Sequence, residues 1–272
     1  MIKIVSWDAA GIRNEFFDCF HNSQADIFCV QDMQLEELQF MSFNPSGYYS
    51  YWNWQEKNKK SGTAVFTKLK PLSSAWGIDS KLDKEGRTLT LEYDKFYLVN
   101  VLTPESTKKY DSVRLEWDIL FSRFVLKLMR RKPVIICGNL NVAHQMIDIS
   151  DITYTGLGCT GPERIGISHL LELGMTDTYR YCHPHQQQFT WYSYNLAMRI
   201  DYVLISNDIL KYLNDSTICD VRYGAVHSPV EVLLDIEAPM PALAIEADPL
   251  PLLYWASRLP KPLDFVKEAE NE

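Results

Sequence analysis

The chain is 272 residues long, with 46% hydrophobic residues and a formal net charge of −8. That length and apolar content suit one sizeable α/β domain, and the acidic balance excludes wholesale adhesion to nucleic acid, which relies on clustered lysine and arginine. The six cysteines show no CxxC pairing and several lie in apolar runs, so they read as buried thiols of a reducing compartment, with no zinc site. Met1 to Val5 has the pattern of a strand, no apolar run reaches the length of a membrane span, and a soluble, cytoplasmic protein is expected.

In chain order, Ile2 to Trp7 reads as a strand ending in Asp8-Ala9-Ala10-Gly11-Ile12-Arg13, followed by a helix over residues 14–22 and a second strand, Ala25 to Gln31, ending in Asp32. An isolated Asp at a strand end is, by itself, a turn residue or a helix cap. Residues 48–102 are strand-rich, with short runs at 48–52, 61–68, 88–93 and 96–102 separated by turn signals, and they are expected to form one sheet. The aromatics Trp52 and Trp54 are expected in the core, although aromatic side chains can also stack on bases. A helix is expected from Arg114 to about Arg131, with Leu115, Ile119, Leu120, Phe124, Leu126 and Leu128 at roughly helical spacing. The β-branched run Pro133-Val134-Ile135-Ile136-Cys137-Gly138 then ends in Asn139-Leu140-Asn141-Val142-Ala143-His144. Polar residues just past the end of a buried strand sit where open α/β sheets place their chemistry. Residues 145–161 read as loop, 162–173 as helix, and residues 237–272, rich in Pro, Ala and acidic residues, as an extension after a domain spanning 1–236. The apolar residues of that extension, among them Leu252, Leu253, Tyr254, Trp255, Leu263 and Phe265, are expected to dock on the protein itself or on a partner.

These motifs carry a resemblance. Cys137-Gly138-Asn139-Leu140-Asn141-Val142-Ala143-His144 is similar to the Cys-Gly-Asp-Leu-Asn-Val-Ala-His of the exodeoxyribonuclease III and abasic-site endonuclease family, within the endonuclease/exonuclease/phosphatase superfamily. Trp7 to Arg13 resembles that family's Trp-Asn-Val-Asn-Gly-Ile-Arg, Val30-Gln31-Asp32 its Leu-Gln-Glu, and Asn100 to Ser106 its Asn-Val-Tyr-Thr-Pro-Asn-Ser. Glu85-Gly86-Arg87, Phe189 to Tyr194, Arg199-Ile200-Asp201-Tyr202 and the segment around His227 resemble further family motifs. The resemblance covers residues 1–236 and implies a four-layered α/β sandwich, two packed, mostly antiparallel sheets flanked by helices. It brings Asp8, Asp32, Asn139, Asn141, Asp201 and His227 together at one end, with Asp8 and Asp32 as metal ligands and Arg87, Arg114, Trp191 and Arg199 as nucleic-acid contacts.

Several positions depart from the family pattern. Asp8, Ala10 and Asp32 stand in the places of Asn, Asn and a metal-binding Glu; Asn139 stands for Asp, Leu102 for Tyr, Glu105 and Gly156 for Asn, Met198 for Trp, and Val226 for Asp. The basic loop that ends at the Trp position is cut to Asn195-Leu196-Ala197-Met198. Phosphodiester hydrolysis needs a cation on carboxylates, an oriented water and stabilisation of developing negative charge, and each of these roles is altered here. An amide cannot accept a proton near neutrality, and a valine cannot orient its neighbour. The sequence reading is therefore a pseudo-nuclease that binds a protein or nucleic-acid partner, with weak, non-specific affinity for DNA and no cofactor expected. Its alternative is a metal-dependent abasic-site endonuclease or 3′-exonuclease of DNA repair, or a related phosphoesterase, using Mg or Mn in a rebuilt site. A structural subunit whose pocket is filled by its own tail is a third reading.

Overall fold

The computed structural model describes residues 1–10, 14–33, 45–54, 62–78, 83, 85–108, 111–220 and 226–236. The tail from 237 onward, and with it the expectation that its apolar residues dock, lies outside them. The first sheet is built around β1 (Ile2–Asp8), paired in parallel with β2 (Ile27–Gln31) and antiparallel with β14 (Val230–Leu234). β3 (Tyr49–Trp54) and β4 (Gly62–Thr67) extend it on one side and β13 (Leu213–Ile218) on the other, in the order β13-β14-β1-β2-β4-β3. The second sheet has the order β5-β6-β7-β8-β12-β9. Its strands are β5 (Ser73–Trp76), β6 (Thr88–Glu92), β7 (Tyr97–Leu102), β8 (Val134–Asn139), β9 (Met175–Asp177) and β12 (Asp201–Ser206), and β7 and β8 run parallel. The strand-rich stretch from 48 to 102 thus divides between the two sheets, which corrects the expectation of a single one.

Three apolar layers hold the sandwich. Between the sheets lie Ile4, Ile27, Val65, Leu98, Ile135 and Val203. On the outer face of the first sheet, Val5, Trp7, Phe28 and Phe66 pack against Phe16 and Phe20 of α1 (Asn14–Ser23). On the outer face of the second, Val99, Ile136 and Leu204 meet Trp117, Phe121 and Ile167 of α2 (Ser112–Met129) and α3 (Gly161–Glu172). Strands such as Val134–Asn139 are apolar on both faces because both faces are covered, and this is why they read as continuous hydrophobic runs. Trp52 and Trp54 are half-buried and pack against the edge of the layer beneath α1.

One consequence of the topology positions the site. The C-terminal ends of β1, β2 and β8 and the N-terminal start of β12 meet at one end of the sandwich, with Asp201 in register opposite Asn139 and Asp8 opposite Gln31. Just beneath that end the interior is polar. Gln31 Nε2 donates to Ser6 Oγ at 3.0 Å and to Asn100 Oδ1 at 2.6 Å, while Asn100 Nδ2 donates to the carbonyls of Val30 and Ala64. These bonds tie the two sheets together under the strand ends and fix their relative register. Among the described residues no helix is long and apolar enough to cross a membrane.

Candidate active site at the strand ends

The turn after β8 is shaped by its backbone. Gly138 has φ +142°, and a Cβ there would collide with the Val101 carbonyl of β7, so only glycine lets these parallel strands approach. Three non-glycine residues at this end, Ala10, Asp32 and Asn141, also hold positive φ, at 43°, 46° and 52°. Non-glycine residues in the left-handed region are uncommon and cost free energy, and such strain concentrates at functional sites. Asn141 is held by its own backbone N–H, which donates to Asn139 Oδ1 at 2.7 Å, and by its Nδ2, which donates to the Thr103 carbonyl at 2.6 Å.

Across the gap between the sheets, Asn139 Nδ2 donates to Asp8 Oδ2 at 2.8 Å, and Asp8 Oδ1 accepts from the Ala10 N–H at 3.0 Å. His227, on the segment entering β14, has Nδ1 2.9 Å from Asp201 Oδ2, and its Nε2 faces Asp8 Oδ2 at 3.9 Å. Its main chain is pinned as well, for the His227 carbonyl accepts from the Trp7 indole N–H at 3.1 Å. Asp8, Asp201 and His227 are all buried, and one ligand atom from each lies within 4.8 Å of the others. Burial by itself would lower the basicity of His227, but the carboxylates of Asp201, Asp8 and Asp32 outweigh it and raise its pKa to about 9. The site therefore has a field that favours positive charge at the imidazole.

The expected constellation is thus brought to one place, with particular departures. Asp8, Asn139, Asp201 and His227 form a connected cluster; Asn141 braces the turn beside it; Asp32 is near enough to act electrostatically on His227 but is not one of the three clustered ligands. The basic residues expected as nucleic-acid contacts are placed differently. Arg114 is buried, its guanidinium bonding the carbonyls of Leu140 and Pro104 at 2.8 and 3.1 Å and both carboxylate oxygens of Asp118 at 3.0 Å. It clamps the loop after β7 to the turn after β8. Arg199 is only 1% exposed and is bound bidentately by Asp148 and Asp177, while Arg87 pairs with Glu85. Arg114 and Arg199 are thus enclosed within the protein and take framework roles in place of the expected phosphate contacts, while Arg87 is half-buried beside Glu85. Trp191 lines an open cleft.

That cleft, of about 190 Å³, opens beside His227 and Asn141 and is walled by Trp191, Met198 and Ile200, with Glu105 and Ser106 across from them. Trp191 and Met198 are paired across a short hairpin of β10 (Trp191–Tyr192) and β11 (Ala197–Met198). The loop of the hairpin is the stretch the sequence reading marked as shortened. No signal in the sequence pointed to Asp148: in a stretch expected as loop, it is the buried end of a 3₁₀ turn at Met146–Asp148 and anchors Arg199 and Arg180. An acidic residue in a polar loop gives no local signal of that burial.

Comparison with known proteins agrees with this geometry. The sequence pattern of the Endonuclease/Exonuclease/phosphatase family matches residues 5–217. The chain is 33% identical over 253 residues to an exodeoxyribonuclease of Bacillus subtilis, covering 86% of this chain and all of that one. It is also 33% identical over 258 residues to the DNA repair nuclease APEX1 of Danio rerio, covering 86% of this chain and 83% of that protein. In structure it is similar to an AP endonuclease from Archaeoglobus fulgidus, with a TM-score of 0.77 at 21% identity over 87% of this chain and 100% of that one.

Proposed function

The chain belongs to the endonuclease/exonuclease/phosphatase family, with exodeoxyribonuclease and abasic-site endonuclease relatives, and from that premise we propose that it is a divalent-cation-dependent hydrolase of DNA phosphodiester bonds. The substrate is an abasic site or a 3′ end. The observation that carries this reading is the buried cluster of Asp8, Asp201 and His227 at the strand ends, next to an open cleft. The cluster sets two buried aspartates on one imidazole, with no lysine or arginine paired to either aspartate among the described residues, and so concentrates negative charge where a cation can enter.

The donor set suits such a cation. Asp201 Oδ1 is buried and has no hydrogen-bond partner, while its Oδ2 holds His227. Carboxylate oxygens and an imidazole nitrogen are ligands that Mn²⁺ sites accept, and Asp8, Asp201 and His227 are the residues here that would hold a divalent cation. Bound there, a cation would supply Lewis-acid stabilisation of charge on the phosphate. The chain's own residues do the rest. Asp201 fixes the orientation of the His227 ring, as the carboxylate partner of a reactive histidine does. Asn139 and Asn141 hold the turn in its strained conformation. The apolar wall of Trp191, Met198 and Ile200 seats the sugar beside the scissile bond.

A second reading, a binding protein without hydrolysis, draws on Ala10, Leu102 and Val226, whose side chains offer no donor or acceptor. The test is incubation with duplex DNA carrying an abasic analogue, and with a 3′-recessed duplex, in Mg²⁺ or Mn²⁺. Metal-dependent scission or 3′ shortening that disappears in Asp201→Asn is the expected result. No product above that of His227→Ala on either substrate overturns hydrolysis and leaves the binding protein.

A further inference from the structure

Both polar atoms of the Asn139 amide are committed, Oδ1 to the Asn141 N–H and Nδ2 to Asp8 Oδ2. Were residue 139 a carboxylate, two anionic oxygens would face each other across that 2.8 Å contact. Asp8 and Asn139 are therefore a matched pair in which the negative charge sits on β1 and the neutral donor on β8. Asp8 is 3% exposed, and its hydrogen bonds come from two neutral N–H donors.

We propose that Asp8 carries the working negative charge of this site, and that Asp8 Oδ2 and His227 Nε2 together take one divalent cation, with Asp201 fixing the imidazole. The separation of the two atoms is informative. At 3.9 Å they are too far apart for a hydrogen bond, yet just within the sum of two metal–ligand bonds of about 2.0–2.2 Å each. The imidazole is also presented correctly: with Nδ1 turned to Asp201, Nε2 is the nitrogen left to face Asp8, which is the second-sphere arrangement of metal-binding histidines, and a cation bound there takes the place of the proton on Nε2, which is released to solvent. The third observation is independent of this pair. Asp201 Oδ1, on a residue 3% exposed, is buried without a partner, and this carboxylate supplies the third atom of the group whose members lie within 4.8 Å. An unsatisfied buried carboxylate oxygen beside two ligand atoms is the signature of a missing cation or water. Asp32 stands beside this trio and outside it, which moves the cation from the residue 32 side of the site toward β1 and β14.

The assignment rests on the hydrolytic reading for what the cation does, and on this geometry for where it binds. Mn²⁺ alone is the probe, titrated into the full-length protein and followed by electron paramagnetic resonance. One site is expected, weakened about tenfold or more in Asp8→Asn and in His227→Gln, and less than about threefold in Asp32→Asn. Because Asp8→Asn changes a buried residue, a measurement on the unaltered protein stands beside it: substoichiometric Mn²⁺ should broaden the ¹⁵N signal of His227 Nε2 before those of His144 and His169. Absence of Mn²⁺ binding, broadening that spares His227, or a site abolished by Asp32→Asn but kept in Asp8→Asn overturns the assignment. Mn²⁺ binding lost in Asp8→Asn, in a protein that cleaves none of the DNA substrates, upholds it and removes only the hydrolytic reading.

Discussion

Two buried clusters of charge lie a few residues apart in this molecule, and they are built on opposite plans. In one, Arg199 is gripped by Asp148 and Asp177 through contacts of 2.7 to 3.1 Å, Arg180 adds a further bond to Asp148, and the guanidinium of Arg199 lies 4.5 Å over the Tyr202 ring. Two carboxylates meet two guanidiniums and the charge closes. Burial alone would raise the pKa of Asp148, but Arg199 and the surrounding donors hold it below the usual carboxylate value. In the other cluster, two residues further along the same chain segment, Asp201 and Asp8 share one imidazole, and an oxygen of Asp201 has no partner. Satisfied buried charge fixes a fold, and unsatisfied buried charge is where a ligand belongs.

The comparison breaks most visibly at Asp201. Its replacement by Asn should lower DNA hydrolysis on the order of 10³- to 10⁴-fold, because the amide no longer holds the His227 ring in one orientation and one charge state. The same change should leave stability within about 1 kcal/mol, since the amide oxygen can still accept from the ring and one of two carboxylates crowded on a single imidazole is removed. Parallel rate assays and urea unfolding would check both halves. A variant that fails to fold while the remaining population cleaves normally would assign Asp201 to the framework instead.

Arg199→Met should do the reverse. It strands Asp148 and Asp177 as buried carboxylates without their main counter-charge, a change that typically costs about 3–5 kcal/mol, and equilibrium denaturation measures it. A loss under about 1 kcal/mol would mean that the closed network is dispensable and that the contrast between the clusters is only one of appearance.

How much of this was legible beforehand follows the same division. The fold was, through the resemblance carried by the motifs at the strand ends, and a run such as 134–137, buried on both faces, announces a strand locally. Asp8 and Asn139 were legible as strand-end residues, because they close the runs of β1 and β8. The partnership of Asp8 with Asn139 was not, since it joins residues 131 apart and depends on how two sheets stack. Read singly, Asp8 and Asn139 look like two losses; read across their hydrogen bond they are one transfer of charge. Arg114 and Arg199 misled for a related reason. A basic side chain in sequence says nothing about which carbonyl or carboxylate will enclose it, and here Leu140, Asp118, Asp148 and Asp177 do.

Asp118 sharpens the comparison through pH. Burial raises its carboxyl to about 6 even though Arg114 acts to lower it. Its folded pKa therefore lies above the unfolded one, so as pH falls from 6 to 4 the native state takes up a proton that the unfolded chain does not, and this group makes the fold more stable. The stability of the protein relative to Asp118→Asn should accordingly rise over that window, by up to about 3 kcal/mol. Asp148 acts with the opposite sign: its pKa is depressed, so its contribution is lost as pH falls below the unfolded value. Unfolding curves at pH 4, 5, 6 and 7 separate the two. A difference that shrinks on acidification would mean the Arg114 pair dominates Asp118 and belongs with the closed network.

The smallest effect lies at the rim of the cleft, where charge is neither buried nor paired in either of these ways. Glu105 is exposed and faces the space beside Asn141 and His227, through which a phosphate backbone must approach. A carboxylate there repels phosphate, but water and salt screen it, so its removal is worth only as much as an exposed ion pair. Glu105→Gln should tighten binding of abasic duplex about two- to fivefold at low ionic strength. The gain should vanish near 1 M salt, where the screening length is about 3 Å. Fluorescence anisotropy across a salt series in the absence of divalent cation tests this without involving Asp8 or His227. A gain that survives high salt would place Glu105 against the nucleic acid itself. Weaker binding in the variant would mean that its carboxylate accepts hydrogen bonds from the bound nucleotide, and that the rim takes part in choosing the substrate.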